Sequence, residues 1–283
     1  MTKQDELELK QLACRVRMNI LTATHGAGAG HPGGSLSSTE AFTYLYFREM
    51  KVDPKHPKAQ DRDRFVLSKG HSAPGLYAAL ALRGFFPEED LPTLRHADSY
   101  LQGHPNMNTV PGVDMSTGSL GQGVSTACGM ALGAKHKGQD LRVYTLLGDG
   151  ELEEGEVWEA AMFAAHYKLD NLCVLVDCNG LQIDGLVAEV MNPGPVDEKF
   201  RAFGFFVQQI DGHSFAELEN AFAAARRETG LPSVILLKTT KGKGVSYMEN
   251  SVGWHGKAPN DAEYQQGMAQ LRVALRELEG EKV

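Results

Sequence analysis

The sequence predicts an α/β fold in which helices cover both faces of a doubly wound parallel sheet. Short apolar runs rich in strand formers alternate along the chain with longer segments of helical period, and this alternation is typical of parallel sheets. The clearest example is a strand at residues 142–147, a helix at 153–168 and a second strand at 172–176. We find no internal repeat or linker, so residues 1–283 are predicted to form one domain, with residues 241–283 as its C-terminal loop and helix.

The other elements follow in order along the chain. Helical periodicity predicts further helices at residues 6–24, 41–50, 73–83, 124–137, 215–228 and 260–278. Apolar runs predict further strands at residues 64–68, 205–211 and 233–239. Residues 84–112 are predicted to form a long irregular crossing, and residues 241–257 a loop rich in Gly and Lys. Two pairs resemble the capping boxes that begin helices: Ser37 with Glu40, and Asn260 with Glu263.

Composition and charge describe an ordinary globular protein, with 42% hydrophobic and 23% charged residues. The formal net charge of −8 argues against nucleic acid or an anionic membrane as a partner, so metal, backbone amides and histidine would have to hold any polyanionic ligand. The polar N-terminus does not resemble a signal peptide, and no apolar run reaches the roughly 20 residues of a membrane helix. Four cysteines without a Cys-x-x-Cys pair indicate buried thiols in a reducing compartment, and we expect a cytoplasmic protein.

Two polar side chains follow neighbouring predicted strands. Asp149 lies between two glycines after the predicted strand at residues 142–147, and Asn179 follows the predicted strand at residues 172–176. Side chains just past parallel strands can converge at the crevice where such sheets bind ligands. Their hard oxygens, the glycines and the start of the following helix suit a magnesium ion that holds a diphosphate.

Four histidines lie beside glycine in predicted loops at the ends of elements: His31, His71, His104 and His255. Any one of them is more often a surface or turn histidine. Four such positions favour a shared cavity, because histidine binds hydroxyl groups and moves protons near neutral pH.

Two glycine motifs are lookalikes. Gly28-x-Gly30-x-x-Gly33 matches the dinucleotide fingerprint, but it follows a predicted helix rather than a strand, so nicotinamide binding is a weak alternative. Gly242-Lys243 lacks the glycine spacing and the following Ser or Thr of a P-loop, and it is discarded.

The motifs together resemble those of the transketolase family. Gly-Asp-Gly at 148–150, then 28 residues, then Asn179, is similar to the thiamine diphosphate motif. The other motifs that resemble the family stand in the same order: Gly-His-Pro-Gly at 30–33, Ser-Lys-Gly-His at 68–71, Gly-His-Pro at 103–105, Thr-Gly-Ser-Leu-Gly-Gln-Gly at 117–123 and His-Gly at 255–256. The resemblance spans roughly residues 9–255 and implies the thiamine diphosphate-binding fold.

The resemblance also implies roles for individual residues. A Mg²⁺ (or Ca²⁺) site is implied at Asp149, Asn179 and the Leu181 carbonyl. The residues implied to bind thiamine diphosphate are His71, Gly118, Ser119, Leu120, Gly150, Glu154, Glu159, Asn179, Ile183 and His255. The implied catalytic residues are His31, His71, His104 and His255. Glu154 and Glu159 match positions at the family's subunit boundary, although carboxylates favour the first turn of any helix. Ser119 replaces the family's usual proline, which should leave backbone contacts intact.

Transketolases continue with a pyrimidine-binding domain and a C-terminal domain, and the 28 residues after His255 leave no room for either. The resemblance therefore implies the N-terminal subunit of a two-subunit transketolase, which is inactive alone and transfers a two-carbon ketol unit from a ketose phosphate to an aldose. The implied partner is a C-terminal subunit that carries the pyrimidine domain, with two copies of each chain in a heterotetramer. Pentose phosphates and a specialised catabolic sugar are both open as substrates.

Alternatives within and outside this chemistry remain open. The chain could be a subunit of another thiamine diphosphate enzyme, such as a 2-oxo acid dehydrogenase α chain or a deoxyxylulose-phosphate-synthase-like enzyme. The His-Pro-Gly-Gly and Gly-His-Pro motifs favour sugar chemistry instead. A non-catalytic, cofactor-binding paralogue is a further alternative, and the four intact histidines argue against it.

Overall fold

Seven strands are present in the computed structural model, which describes residues 1–280. They are β1 (Arg64–Leu67), β2 (Val143–Gly148), β3 (Leu172–Cys178), β4 (Leu181–Gln182), β5 (Gly185–Leu186), β6 (Phe206–Asp211) and β7 (Ser233–Lys238). Five of them form one sheet in the order β1-β2-β3-β7-β6, and every neighbouring pair is parallel. β4 and β5 form a separate antiparallel pair just after β3, which the sequence analysis missed.

Helices connect and cover these strands. The α-helices within residues 1–280 are α1 (Lys3–Ala27), α2 (Pro32–Ser37), α3 (Thr39–Tyr44), α4 (Ala73–Arg83), α5 (Gln122–His136), α6 (Gly155–His166), α7 (Val187–Val190), α8 (Val196–Ala202), α9 (Phe215–Arg227) and α10 (Asp261–Gly280). Short 3₁₀ turns occur at Gly70–Ser72, Glu88–Thr93, Gly150–Glu153 and Val252–Trp254, and a π-turn at Leu45–Glu49. None of the helices in the described part of the chain has the length and apolar character to span a bilayer.

The side chains of the strands alternate between two apolar cores. On one face, Cys173 and Leu175 of β3 belong to a core with residues of α3, α4 and α9, such as Phe42 and Phe222. On the other face, Val174 and Val176 belong to a core with residues of α5, α6 and α8. Each fully buried side chain of this size stabilises the fold by about 1.5–3 kcal/mol. The predicted doubly wound parallel sheet with helices on both faces is therefore confirmed.

The two predicted capping boxes have different outcomes. Asn260 and Glu263 exchange backbone-to-side-chain hydrogen bonds of 2.8 and 2.9 Å at the start of α10, as expected. The box at Ser37 and Glu40 is wrong, whereas the helix predicted at residues 41–50 is present as the end of α3 (Thr39–Tyr44) and the π-helix Leu45–Glu49 that continues it. Ser37 ends α2 and donates its hydroxyl to Asp177, while Glu40 pairs with Arg17, so long-range partners take both side chains.

A buried ion pair joins the carboxyl ends of β1 and β3. Lys69 Nζ lies 2.6 Å from Asp177 Oδ2, and the two side chains are 2% and 0% exposed. Lys69 also donates to the Gly34 carbonyl at 2.9 Å and to Ser38 Oγ at 2.6 Å. All three ammonium hydrogens therefore have acceptors, as a buried charge requires.

Asp177 is equally well satisfied. Its carboxylate accepts hydrogen bonds from Ser37 Oγ at 2.6 Å, from Asn179 Nδ2 at 2.8 Å and from Thr239 Oγ1. Burial alone would raise the pKa of Asp177, but the Lys69 charge and these donors lower it to about 2. The ion pair thus ties β1 and β3 to the residue after β7 and to the turn between α2 and α3.

Replacing Asp177 with Asn should destabilise the fold, because the buried Lys69 ammonium loses the carboxylate that neutralises it. We expect the free energy of unfolding, measured by urea denaturation of the purified chain, to fall by about 3–5 kcal/mol. Adding Lys69→Met to Asp177→Asn removes the unpaired ammonium and should restore part of the lost free energy of unfolding. If the free energy of unfolding of Asp177→Asn alone lies within about 0.5 kcal/mol of the native value, the range of ordinary surface substitutions, the role given to the pair is contradicted.

Candidate active site

A cavity of about 280 Å³ opens where β2 and β3 end. It lies at the carboxyl edge of the sheet, where open α/β sheets bind ligands. The residues predicted for the site that line this cavity are His71, Leu120, Asp149, Gly150, Glu154, Asn179, Leu181, Ile183 and His255. The sequence motifs therefore converge on one place, although they are spread along more than half of the chain.

The three predicted metal ligands lie together at one wall of the cavity. Gly148 pairs with Asp177 in the sheet, so Asp149 follows β2 directly beside the end of β3. The Asp149 carboxylate accepts the Gly150 N–H at 3.0 Å and the Gly180 N–H at 2.5 Å. Burial raises the pKa of Asp149 to about 6, and the nearby charge of Asp177 adds to the shift.

Asn179 is oriented by its neighbours. Its Nδ2 donates to Asp177 Oδ2 at 2.8 Å, so its Oδ1 is the atom left to act as an acceptor, and that atom also accepts the Leu181 N–H at 3.1 Å. The Leu181 carbonyl accepts a hydrogen bond from Lys241 Nζ at 2.9 Å. Carboxylate, amide and carbonyl oxygens are the donors that Mg²⁺ and Ca²⁺ prefer, so this donor set fits such an ion. Within residues 1–280 no group of three or more His, Cys, Asp and Glu side chains forms a metal site of another kind.

The turn after β2 is shaped for a close approach to the cavity. A Cβ atom on Gly150 would lie 2.7 Å from Gln182 Oε1 and 3.2 Å from Gln182 Cβ, so a side chain there would require Gln182 to move. Buried Glu151 accepts hydrogen bonds from Ser68 Oγ at 2.5 Å, Gly121 N–H at 2.9 Å and Gly148 N–H at 3.0 Å. Glu151 therefore anchors the turn.

The exposed glutamates that follow this turn have different surroundings. Glu153 and Glu154 are exposed at the cavity, whereas Glu159 is exposed on α6 and does not line it. Ser119 is exposed as well and does not line the cavity, although its neighbour Leu120 does.

Three of the four predicted histidines form a cluster. The ring centroids of His31 and His71 are 5.3 Å apart, those of His31 and His255 are 5.4 Å apart, and those of His71 and His255 are 5.1 Å apart. His104 lies nearby on Gly118, because a Cβ on that glycine would be 3.3 Å from the histidine Cδ2. His31 does not line the cavity itself, and its Nδ1 is buried without a hydrogen-bond partner among the described residues.

The clustered histidines are neutral at pH 7. Burial lowers the pKa of His31 to about 4, with a contribution from the charge of Arg95. Burial and the charge of Lys241 lower the pKa of His255 to about 3, and burial beside Lys69 lowers that of His71 well below its ordinary value. A neutral imidazole has one hydrogen-bond donor and one acceptor, which suits contact with hydroxyl groups.

Sequence reasoning missed two lysines that line the cavity, Lys69 and Lys241. Lys241 is buried and also donates to His255 Nδ1 at 2.9 Å, and burial lowers its pKa to about 8. Lys69 comes directly after the predicted strand at residues 64–68, which was the available signal, whereas Lys241 belongs to the predicted Gly- and Lys-rich loop at residues 241–257. Lys241 thus adds a positive group to a cavity that is also lined by carboxylates, beyond the metal, amides and histidines expected from sequence.

Comparison with known proteins identifies the family. The family model described as the thiamine diphosphate binding domain of transketolase matches residues 9–275. The chain is 46% identical over 268 residues to the 6-deoxy-6-sulfo-D-fructose transketolase subunit SqwG of Clostridium sp. (strain MSTE9), a match that covers 95% of this chain and 98% of that subunit. It is 42% identical to an apulose-4-phosphate transketolase subunit from Actinobacillus succinogenes, and that match covers 95% of this chain and 96% of the relative.

A solved structure agrees with these matches. The crystal structure of transketolase from Campylobacter jejuni superposes with a TM-score of 0.89 at 32% sequence identity. The superposition covers 98% of this chain but only 46% of that one, so the chain spans less than half of the longer enzyme. Its subunit relatives, in contrast, are matched over nearly their whole length. The chain belongs to the transketolase family, as the N-terminal, thiamine diphosphate-binding subunit of a split transketolase.

Proposed function

We propose that this chain binds the diphosphate end of thiamine diphosphate and, with a pyrimidine-domain partner, transfers a two-carbon ketol unit from a ketose phosphate to an aldose. The observation that carries this proposal is the cavity at the edge of the sheet, where Asp149, Asn179 and the Leu181 carbonyl lie beside a cluster of neutral histidines. Metal ligands suited to a diphosphate and groups suited to sugar hydroxyls are thus present in one site.

Asp149, Asn179 Oδ1 and the Leu181 carbonyl would hold Mg²⁺ (or Ca²⁺) on the diphosphate. Gly150 lets the backbone approach closely, and His71, His255 and Lys241 would add hydrogen bonds and charge. When bound, the cofactor supplies the electron sink that makes cleavage of a carbon–carbon bond in the donor sugar possible. The protein supplies the binding, the orientation and the proton transfers.

Contacts to the cofactor rings would come from the backbone of Gly118 and Ser119 and from the side chains of Leu120 and Ile183. Ile183 is 63% exposed beside the cavity, an apolar surface that a bound ring would cover. Glu154 and Glu159, both exposed, are proposed to lie at the boundary with a neighbouring subunit.

The histidines would handle the sugar. His31 would bind a donor hydroxyl through Nδ1, the buried atom that has no partner among the described residues. His255 Nδ1 accepts from Lys241, so its proton is on Nε2, which can donate to a sugar oxygen. His31 and His104 would remove the hydroxyl proton of the donor when the carbon–carbon bond breaks, with His255 as a hydrogen-bond donor to the sugar. They would return a proton to the acceptor aldehyde oxygen after the fragment is transferred.

Substrate and partner are proposed from the relatives and the surface. The two relatives are named for sulfofructose and for apulose phosphate, and both sugars have an anionic terminus, so we propose an anionic ketose as donor. Their names as subunits support a partner subunit. We propose that this partner is C-terminal, carries the pyrimidine domain and forms a cytoplasmic heterotetramer with two copies of each chain. Large exposed apolar side chains on α6 and around the β4–β5 hairpin offer a contact surface: Met162, Phe163, Tyr167, Ile183, Leu186, Val190 and Met191.

Replacing Asp149 with Asn should weaken the binding of thiamine diphosphate in the presence of Mg²⁺. The loss should be at least about 100-fold by calorimetry, because even groups outside the metal's direct ligands contribute 10–100-fold. Asp184→Asn, at an exposed carboxylate in the β4–β5 hairpin, is the matched control and should bind normally. Normal cofactor affinity in Asp149→Asn would show that the metal ligands are assigned wrongly.

The two-subunit reaction is tested by reconstitution. Purified alone, the chain should not turn over xylulose 5-phosphate or another anionic ketose, because the pyrimidine-binding half of the site is supplied by the partner. Addition of the pyrimidine-domain polypeptide should give ketol transfer, and that polypeptide alone is the control. Full activity of this chain without a partner would refute the proposed division of the site.

A further inference from the structure

Next to the turn at residues 240–243, which carries Lys241, lies a second group of ionisable side chains, which does not line the cavity. It consists of Arg17 on α1, Glu40 on α3 and His213 between β6 and α9. Arg17 and Glu40 are buried, and the His213 side chain is 15% exposed. The three side chains are linked in a row, because Glu40 lies 2.5 Å from Arg17 Nη2 and 2.9 Å from His213 Nδ1.

The hydrogen-bond partners of His213 determine which of its ring nitrogens carries the hydrogen. The Glu40 carboxylate can only accept a hydrogen bond, so His213 Nδ1 donates to it. The backbone N–H of Thr240 can only donate, and its acceptor is His213 Nε2 at 2.9 Å. These two contacts place the His213 hydrogen on Nδ1 and use Nε2 as the acceptor.

Arg17 binds the backbone on the other side of the same turn, at Lys243. While Nη2 pairs with Glu40, its Nε donates to the carbonyl of Lys243 at 3.0 Å. The group thus holds the backbone at Thr240 and at Lys243, on either side of Lys241. Burial would raise the pKa of Glu40, but the charge of Arg17 and the hydrogen bond from His213 outweigh it and keep the carboxylate ionised.

We propose that Arg17, Glu40 and His213 form a clamp that positions Lys241 and thereby sets how tightly the chain holds a diphosphate. This inference rests on the proposed function, in which Lys241 faces the cofactor's diphosphate. Lysine has a long flexible side chain, so its ammonium is placed reliably only when its backbone is fixed. The clamp fixes that backbone, and hydrogen bonds to Leu181 and His255 fix the tip.

Two substitutions at His213 separate the clamp from a general effect on stability. Gln can place its carbonyl near the former Nε2 and keep accepting from Thr240. The shorter Asn reaches only the Nδ1 position and keeps the contact with Glu40. Calorimetry of thiamine diphosphate with Mg²⁺ should show about tenfold weaker binding in His213→Asn, because the Thr240 N–H loses its acceptor. His213→Gln should stay within about threefold of the native chain on the same reasoning. Equal affinities in the two variants, whether both weakened or both normal, would overturn the proposal.

A second measurement tests the clamp without the cofactor. Nitrogen-15 NMR of labelled histidine should show His213 with its proton on Nδ1 and a bare Nε2. In Glu40→Gln the new amide can donate to Nδ1, so the proton should move to Nε2 and cofactor binding should weaken about tenfold. A protonated Nε2 in the native chain would refute the clamp even if the cofactor binds. Failure of the native chain to bind cofactor, with the expected tautomer present, would instead refute the proposed function and the role of the clamp in affinity.

Discussion

The buried ion pair between Lys69 and Asp177 is the constraint on which the site depends. Each residue stands where its strand ends, so the contact holds the carboxyl edges of β1 and β3 in fixed register. A buried charge without a partner is strongly destabilising, and for this reason the sheet edge cannot relax without a large cost. The same carboxylate holds Asn179 Nδ2, which leaves Asn179 Oδ1 to act as an acceptor.

The groups around this pair allow an acidic chain to bind an anionic ligand. A protein with a net charge of −8 has to attract a diphosphate, which is also anionic. The charge of Lys69 is neutralised by Asp177, and its other two hydrogens have acceptors. Lys241 is therefore the lysine whose charge is available at the cavity. Buried, neutral histidines add hydrogen bonds without adding charge, and the oxygens of Asp149, Asn179 and Leu181 favour a divalent cation.

Much of the fold was predictable because it depends on local patterns. Four of the five strands of the sheet are short, mainly apolar runs, and the predicted helix at residues 73–83 is α4 (Ala73–Arg83). The elements between β3 and β6 were missed because β4, β5, α7 and α8 are short and carry little periodicity. Ser37 shows the opposite error: its sequence matches a cap, but a carboxylate 140 residues away takes its hydroxyl. Local sequence patterns do not identify partners that are so distant along the chain.

The candidate site was predictable where a motif places a residue at the end of a strand. Asp149, Asn179 and His71 lie in one cavity, as the motifs indicated. Lys241 was missed because its role comes from the burial of its side chain and from the turn that holds it, and neither is visible in composition. His104 and Glu159 lie outside the cavity lining, so their proposed roles depend on substrate and on a neighbouring subunit.

The central claim is that this sheet edge presents three oxygens to one divalent cation on a diphosphate. Diffraction from crystals of the chain with its partner, thiamine diphosphate and Mn²⁺ in place of Mg²⁺ tests it directly, because the anomalous signal locates the ion. We predict a single peak at coordination distance, about 2.0–2.6 Å, from Asp149, Asn179 Oδ1 and the Leu181 carbonyl, with the diphosphate on its other side. Ordered cofactor with the peak elsewhere, or with no peak at these oxygens, would contradict the account.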